Sequence, residues 1–148
     1  MIQKMKMKQS IKDDEFETPT DLYERLCNLY SIKPLLDVAA NDSNTKCEYH
    51  LKDGLHDEWH FDSWCNPPHT KTLHFIQRAE AQHIKHNINI LMIVPANTIS
   101  TQAWHRYIED KREYHAIYQR PTFWKNGRRS KFPSRNAYIC IVWRKQIV

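Results

Sequence analysis

Only two glycines, Gly54 and Gly127, occur in the 148 residues of this chain. A phosphate-cradling loop of the GxGxxG or Walker type needs several glycines close together, so nucleotide hydrolysis and the usual dinucleotide fingerprint are disfavoured. No apolar run is long enough to span a membrane, and residues 1–12 form a Lys/Met/Gln stretch without a continuous apolar region or cleavage site. Neither a membrane anchor nor a secretory signal is expected, which places the protein in the cytoplasm. The cysteines, Cys27, Cys47, Cys65 and Cys140, are too scattered for a disulfide scaffold and read as reduced thiols.

Acid is missing from both ends. Residues 1–12 hold four lysines and no Asp or Glu, residues 13–113 hold 10 Lys/Arg against 17 Asp/Glu, and residues 114–148 hold eight Lys/Arg and no acid. Basic ends around an acidic body suggest a surface for nucleic acid, because neutralising phosphates and releasing counterions supplies most sequence-independent affinity. A solvated basic face is the plain alternative. Aromatic and basic residues interleave in Phe123-Trp124-Lys125-Asn126-Gly127-Arg128-Arg129, which favours nucleic acid. The size and 41% hydrophobic content suit one globular domain, residues 13–148, behind a basic flexible tail, residues 1–12.

What is present is a tetrad, Asn66-Pro67-Pro68-His69, after a short apolar stretch that includes Trp64 and Cys65. Proline fixes φ, lacks an N–H and pushes the preceding residue into an extended conformation, so Asn66 and Pro67 are held in place. An exocyclic amine on a nucleobase has two protons to donate and is a poor nucleophile. Two fixed acceptors, the Asn66 side-chain oxygen and the Pro67 carbonyl, would hold it pyramidal with its lone pair aimed at a methyl donor, and the flat ring of His69 could stack on the base. An Asn-Pro-Pro triplet arises by chance in a chain of this length on the order of 1% of the time, so its surroundings must support it.

The surroundings read as α/β. A helix starts near Thr18-Pro19-Thr20-Asp21, with Asp21 and Glu24 in capping-box spacing and Leu22, Leu26, Leu29 and Tyr30 as its apolar stripe. Leu35 to Ala40 reads as a buried strand with Asp37 near its carboxyl end, where ligands bind in open α/β sheets. A short strand is expected around Glu48 to Leu51, a turn at Asp53-Gly54, and another strand ends at Asn66. Thr72 to Lys85 is a helix with Leu73, Ile76 and Ala79 on one side, and Asn89 to Pro95 is the clearest buried strand. Ser100 caps a helix carrying Trp104, Tyr107 and Ile108. Tyr114 to Gln119 and Ala137 to Trp143 are strands joined by a basic loop, closing the α/β sandwich as a hairpin.

Two metal readings compete. Cys47-x-x-His50 with Cys65-x-x-x-His69 has zinc-like spacing, but Pro67 and Pro68 make the second link rigid and extended. His56, Asp57, Glu58, His60 and Asp62 could hold a nuclease metal, yet consecutive positions point in different directions and a solvated loop is the better reading. No metal is expected.

Taken in order, Glu15-x-x-Thr18-Pro19, Leu36-Asp37-Val38-Ala39-Ala40, Asn44-x-x-Cys47, Asp53-Gly54-Leu55, Trp59, Cys65-Asn66-Pro67-Pro68, the strand to Pro95-Ala96, and Phe132-Pro133-Ser134 before a strand resemble the phage-type DNA N6-adenine methyltransferase (Dam) family over about residues 13–144. The resemblance implies a Rossmann-like class I methyltransferase sheet, S-adenosylmethionine as cofactor and DNA as partner. It matches Asp37, Ala39 and Ala40 to the cofactor loop, Thr18 and Pro19 to the segment closing over the methionine end, Asp53 to an acid beside the pocket, and Asn66, Pro67 and Pro68 to the catalytic motif. His69 stands where the family usually has Tyr or another aromatic, and Ala39 and Ala40 stand where broader methyltransferases have glycine. Arg120, Lys125, Arg128, Arg129, Lys131 and Arg135 are then the expected DNA-backbone contacts, with relaxed or short sequence preference. Cytosine-N4 or RNA methylation on the same fold, and an inactive nucleic-acid-binding relative, are the alternatives. Monomer and homodimer both remain open.

Overall fold

The two longest apolar runs become two neighbouring interior strands of one sheet. The computed structural model describes residues 16–41, 43–125 and 127–147. The expected basic tail, residues 1–12, together with Glu15 and Asn126, lies outside the described residues. In chain order the elements are α1 (Thr20–Tyr30), β1 (Leu36–Asp37), β2 (Tyr49–His50), β3 (Ser63–Cys65), α2 (Thr72–His86), β4 (Ile90–Pro95), α3 (Gln102–Tyr107), β5 (Glu113–Ala116), β6 (Trp124–Lys125), β7 (Arg128–Arg129) and β8 (Tyr138–Trp143). Short 3-10 turns, His69–Lys71 and Ala96–Ser100, precede α2 and α3.

Six strands form one sheet in the order β2-β1-β3-β4-β8-β5. The first four are mutually parallel, and β8 lies antiparallel between β4 and β5, in register from Ile90 opposite Trp143 to Pro95 opposite Tyr138. Because side chains alternate across a strand, a strand covered on both faces must be apolar at every position. Ile90, Met92 and Val94 of β4, with Ile139, Ile141 and Trp143 of β8, join the core beneath α2 and α3. Leu91 and Ile93, with Tyr138, Cys140 and Val142, join Leu22, Leu26 and Tyr30 of α1 on the opposite face. Helices therefore cover both faces of a mixed sheet.

Several local expectations need correction. The α1 N-cap is Pro19, whose side chain makes no cap hydrogen bond, so Asp21 and Glu24 form no capping box; Asp21 sits in the first turn, where its charge favours the helix dipole. The buried stripe of α1 runs Leu22, Leu26, Tyr30, which rotates Leu29 outward to 67% exposure. The buried face of α2 follows Phe75, Ile76, Ala79 and Gln82, leaving Leu73 exposed. Thr101, not Ser100, caps α3 by accepting from the Trp104 N–H at 3.2 Å, because Ser100 is spent in the preceding 3-10 turn. The closing strands β5 and β8 do pair antiparallel, but their connection carries its own hairpin, β6–β7.

Gly54 fixes one approach that the rest of the site needs. A Cβ added there would lie 1.9 Å from the Val38 carbonyl oxygen, just past β1, while its own carbonyl accepts from Trp59 Nε1 at 2.8 Å. Only a residue without a side chain lets the two backbones meet so closely. Gly54→Ala is expected to cost about 3 kcal/mol and to lower Tm by roughly 10 °C, read by thermal unfolding followed by circular dichroism.

Candidate active site

The topology marks one position on the sheet edge. From β1 the chain adds β2 on one side and β3 on the other, so the order reverses between β1 and β3, and ligand crevices in open α/β sheets lie outside the carboxyl ends at such a point. Those ends carry Asp37 and, just past Cys65, Asn66.

Asp37 is 3% exposed. Its two oxygens accept from backbone donors, the Ala39 N–H at 3.3 Å and the Lys46 N–H at 2.9 Å, so the carboxylate shapes the Ala39-Ala40 turn and pins the returning loop. Burial pushes its carboxyl up to about 6, against the lowering effect of those hydrogen bonds. Because the folded pKa exceeds that of the unfolded chain, the folded state holds the proton longer between pH 3.8 and 6. Stability from this group is full below about pH 4 and is lost as pH rises through about 6, a difference of roughly 3 kcal/mol. Urea unfolding of wild type and Asp37→Asn from pH 4 to 7 is expected to show the wild-type advantage shrinking by about that amount over this window. A charge kept buried at such cost marks a functional position better than a structural one.

The segment before α1 lies across Asn66. Asn66 Nδ2 donates to the Phe16 carbonyl at 2.7 Å and to Thr18 Oγ1 at 3.0 Å. Phe16 offers only an acceptor there, which fixes the amide orientation. Both Asn66 donors are thereby engaged, and no described residue donates to Asn66 Oδ1 or to the Pro67 carbonyl. The Pro68 carbonyl, by contrast, accepts from the Lys71 N–H at 2.9 Å as the 3-10 turn begins. Thr18 and Pro19 are both buried, and Glu17 pairs with Lys46 at 3.4 Å, which links this segment to the loop that Asp37 holds.

His69 is exposed at the start of the 3-10 turn, with Phe16 stacked on it at 5.1 Å and 29°. Its Nε2 lies 2.7 Å from the Tyr138 hydroxyl. Beside it opens a cavity of about 310 Å³ walled by Phe16, Phe123, Phe132 and Tyr138, with Ser134, Arg135 and Asn136 as its polar side. Asp53 lies on an exposed turn beside Gly54, where His56 Nδ1 lies 2.8 Å from its carboxylate and the hydrogen bond holds its carboxyl below the ordinary range.

The basic residues gather on and around the β6–β7 hairpin. Lys125 and Arg128 face each other across it, Trp124 pairs with Arg129, and Arg120, Arg128, Arg129, Lys131 and Arg135 are all exposed. Trp124 and Glu17 exchange both backbone hydrogen bonds, at 2.7 and 2.9 Å, so the hairpin is stitched to the segment that contacts Asn66. Lys125 Nζ lies 5.1 Å from the Phe16 ring centroid.

Neither metal reading finds a site. Among the described residues no three His, Cys, Asp or Glu side chains gather to hold an ion. Cys47 faces the Tyr23 hydroxyl at 3.5 Å, and Glu58 pairs with Arg78, Lys85 and His86, which ties the loop before β3 to α2.

A model of the family described as DNA N-6-adenine-methyltransferase (Dam) matches residues 4–147. The chain belongs to the Dam family. A DNA N-6-adenine-methyltransferase of Haemophilus phage HP1 (strain HP1c1) is 31% identical over 98 residues, a stretch covering 64% of this chain and 56% of the phage protein. This Dam-family chain thus matches little more than half the length of that relative. No solved structure matches it.

Within the Dam-family chain, the sequence alone did not single out Phe16, Lys46 or Tyr138 for the site. Phe16 adjoins the Glu17-Thr18-Pro19 stretch, and Lys46 sits one residue before Cys47, so both had a local signal. Tyr138 reads simply as a strand residue. Among the described residues no helix is long and apolar enough to cross a membrane.

Proposed function

We propose that this protein methylates the N6 amine of adenine in DNA, using S-adenosylmethionine on a Rossmann-like class I methyltransferase sheet, with relaxed or short sequence preference. One observation carries the reading: both Asn66 donors are engaged by Phe16 and Thr18, leaving its Oδ1, beside the Pro67 carbonyl, as an acceptor pair for an amine. Family membership supports adenine and DNA as the targets.

The donor chemistry at the switch point fits a cationic sulfonium cofactor, since Asp37, Asn66 Oδ1 and the Pro67 carbonyl are all acceptors and the nearby Lys46 is paired with Glu17. Thr18, Pro19, Asp37, Ala39, Ala40, Asp53 and Asn66 are the residues assigned to hold it. Bound there, S-adenosylmethionine supplies an electrophilic methyl group. The chain itself positions the amine: Asn66 Oδ1 and the Pro67 carbonyl accept its two hydrogens, turn its lone pair out of the ring system, and stabilise the positive charge that develops on nitrogen. The adenine must leave the stack to reach this point. The aromatic cavity beside His69 offers it flat walls. Arg120, Lys125, Arg128, Arg129, Lys131 and Arg135 are assigned to the phosphate backbone, giving affinity with little base reading.

The test is transfer of a labelled methyl group from S-adenosylmethionine to unmethylated DNA, followed by nucleoside mass spectrometry. N6-methyladenine is the expected product. N4-methylcytosine, or label entering RNA alone, would overturn the substrate assignment. Calorimetry finding no S-adenosylmethionine binding alongside retained DNA binding would overturn the enzyme reading altogether.

A further inference from the structure

Three arginines from separate parts of the chain line one small recess on the α1 side of the sheet. Arg25 comes from the middle of α1, Arg120 from the link between β5 and β6, and Arg129 from β7; with Asp21, Gln119 and Thr122 they border a volume of about 130 Å³. That volume suits a phosphate group with a few waters and is small for a base. We propose that this recess is a clamp for one phosphodiester of the DNA strand, with Arg129 as its main contact and Arg25 and Arg120 closing around the same group.

The backbone holds all three in place. Arg25 lies between Leu22 and Leu26, both buried in the core beneath α1. Arg120 stands between Gln119, whose φ of 63° is left-handed, and Pro121, which restricts the residue before it to extended backbone. A left-handed conformation at a residue other than glycine costs free energy, and such strain collects where a chain has to aim a side chain. The Ser134 N–H, donating to the Pro121 carbonyl at 2.7 Å, ties this bend to the segment that leads into β8. Arg129 faces Trp124 across the hairpin, and Trp124 is joined by both backbone hydrogen bonds to Glu17. Glu17 adjoins Thr18, whose Oγ1 accepts from Asn66, so a phosphate gripped at Arg129 is held by the same segment that borders the amine site. Phosphate contacts of this kind fix the register of a strand without reading its bases.

The charges in the recess call for an anion. Among the described residues, no ion pair or side-chain hydrogen bond engages Arg25, Arg120 or Arg129. Asp21 lies four positions before Arg25, the favourable order for a helical ion pair, and still the two are not joined. Three guanidinium groups against one carboxylate leave the recess positive, and the planar fork of a guanidinium matches two oxygens of a phosphate. Charge along the chain conceals Arg25, since it belongs to the acid-rich stretch of residues 13–113, and only the packing of α1 against the β5–β6 link brings it to the basic hairpin.

The clamp rests on the reading of DNA as partner, and its test separates the two. Fluorescence anisotropy of the full chain with a short labelled duplex is expected to show Arg25→Gln weakening DNA binding about fivefold at about 0.1 M salt. In an Arg129→Gln background the same change is expected to cost less than about twofold, because the phosphate is already released. Arg129→Gln is expected to flatten the slope of log K against log salt by about 0.9, and Arg25→Gln, Arg120→Gln and Arg129→Gln together by no more, since one phosphate is involved. Arg106→Gln, at an exposed arginine of α3 on the opposite face of the sheet, controls for net charge and is expected to change affinity less than about twofold. An equal loss from Arg25→Gln in both backgrounds, a matching loss from Arg106→Gln, or a slope change of about 2.7 in the triple variant would each overturn the clamp. Inorganic phosphate moving the Arg25 side-chain resonance in NMR, while Arg25→Gln leaves DNA affinity at the wild-type value, would assign the recess to a free anion and overturn the clamp with the methyltransferase reading intact. If wild type shows these couplings but transfers no methyl group, that reading fails and the clamp stands; if wild type binds no DNA, both fail.

Discussion

Asn66→Ala is expected to cut methyl transfer to DNA about 10²–10³-fold, well beyond the loss of S-adenosylmethionine affinity, while Tm stays close to wild type. The size follows from what is removed: one of two acceptors aimed at a developing charge in a partly enclosed site, where each fixed polar group is worth far more than in water. The fold should tolerate the change because Asn66 lies beyond the last residue of β3 and contributes nothing to either core. Its loss leaves the Phe16 carbonyl and Thr18 Oγ1 without their donor, a cost confined to the segment before α1. Asn66→Asp makes the complementary case, since it keeps the acceptor but loses both donors. Transfer in Asn66→Asp falling as far as in Asn66→Ala would indicate that holding Phe16 and Thr18 matters as much as accepting the amine. Labelled-methyl incorporation with isothermal titration of the cofactor reads both variants, and equal incorporation by wild type and Asn66→Ala would sink the assigned role.

The second large effect concerns DNA affinity. Replacing Arg128, Arg129, Lys131 and Arg135 together by glutamine is expected to weaken DNA binding roughly 10²–10³-fold at about 0.1 M salt and to flatten the slope of log K against log salt by about 3.6. These side chains are exposed, on or just past β7, so the substitution removes charge without opening a core. Fluorescence anisotropy across a salt series is the measurement. An unchanged slope would mean that phosphates are met elsewhere. The weakening should be nearly equal for unrelated DNA sequences, since backbone contacts carry no base information.

How legible all this was in the sequence varies with the physics of each part. β4 and β8 were plain because a strand buried on both faces must be apolar throughout. Strand β1 was placed correctly but is short: only Leu36–Asp37 qualifies, with Leu35 turned to solvent. Helix positions were right, but their apolar stripes were misjudged at Leu29 and Leu73, because a single helical step moves a side chain by about 100° and the pattern alone does not say which edge the sheet will cover. The β6–β7 hairpin escaped notice because each strand has two residues and its pairing depends on Glu17, more than a hundred positions away. At the site, Asn66 and Asp37 were legible as strand ends. Tyr138 was not, since nothing local in a buried strand reveals that its hydroxyl meets a ring 69 residues earlier in the chain.

The place of β8 has a consequence during synthesis. Among the described residues its neighbours are β4 and β5, both made before it, and β5 has no other partner in the sheet. Until Trp143 leaves the ribosome, the newly made chain therefore has an incomplete sheet ending at the bare edge of Ile90–Pro95, with Glu113–Ala116 waiting unpaired. An open apolar strand edge invites pairing with another chain. The nascent protein is most vulnerable to aggregation in the interval between finishing β4 and inserting β8, and conditions that slow translation through residues 96–137 should lower its soluble yield.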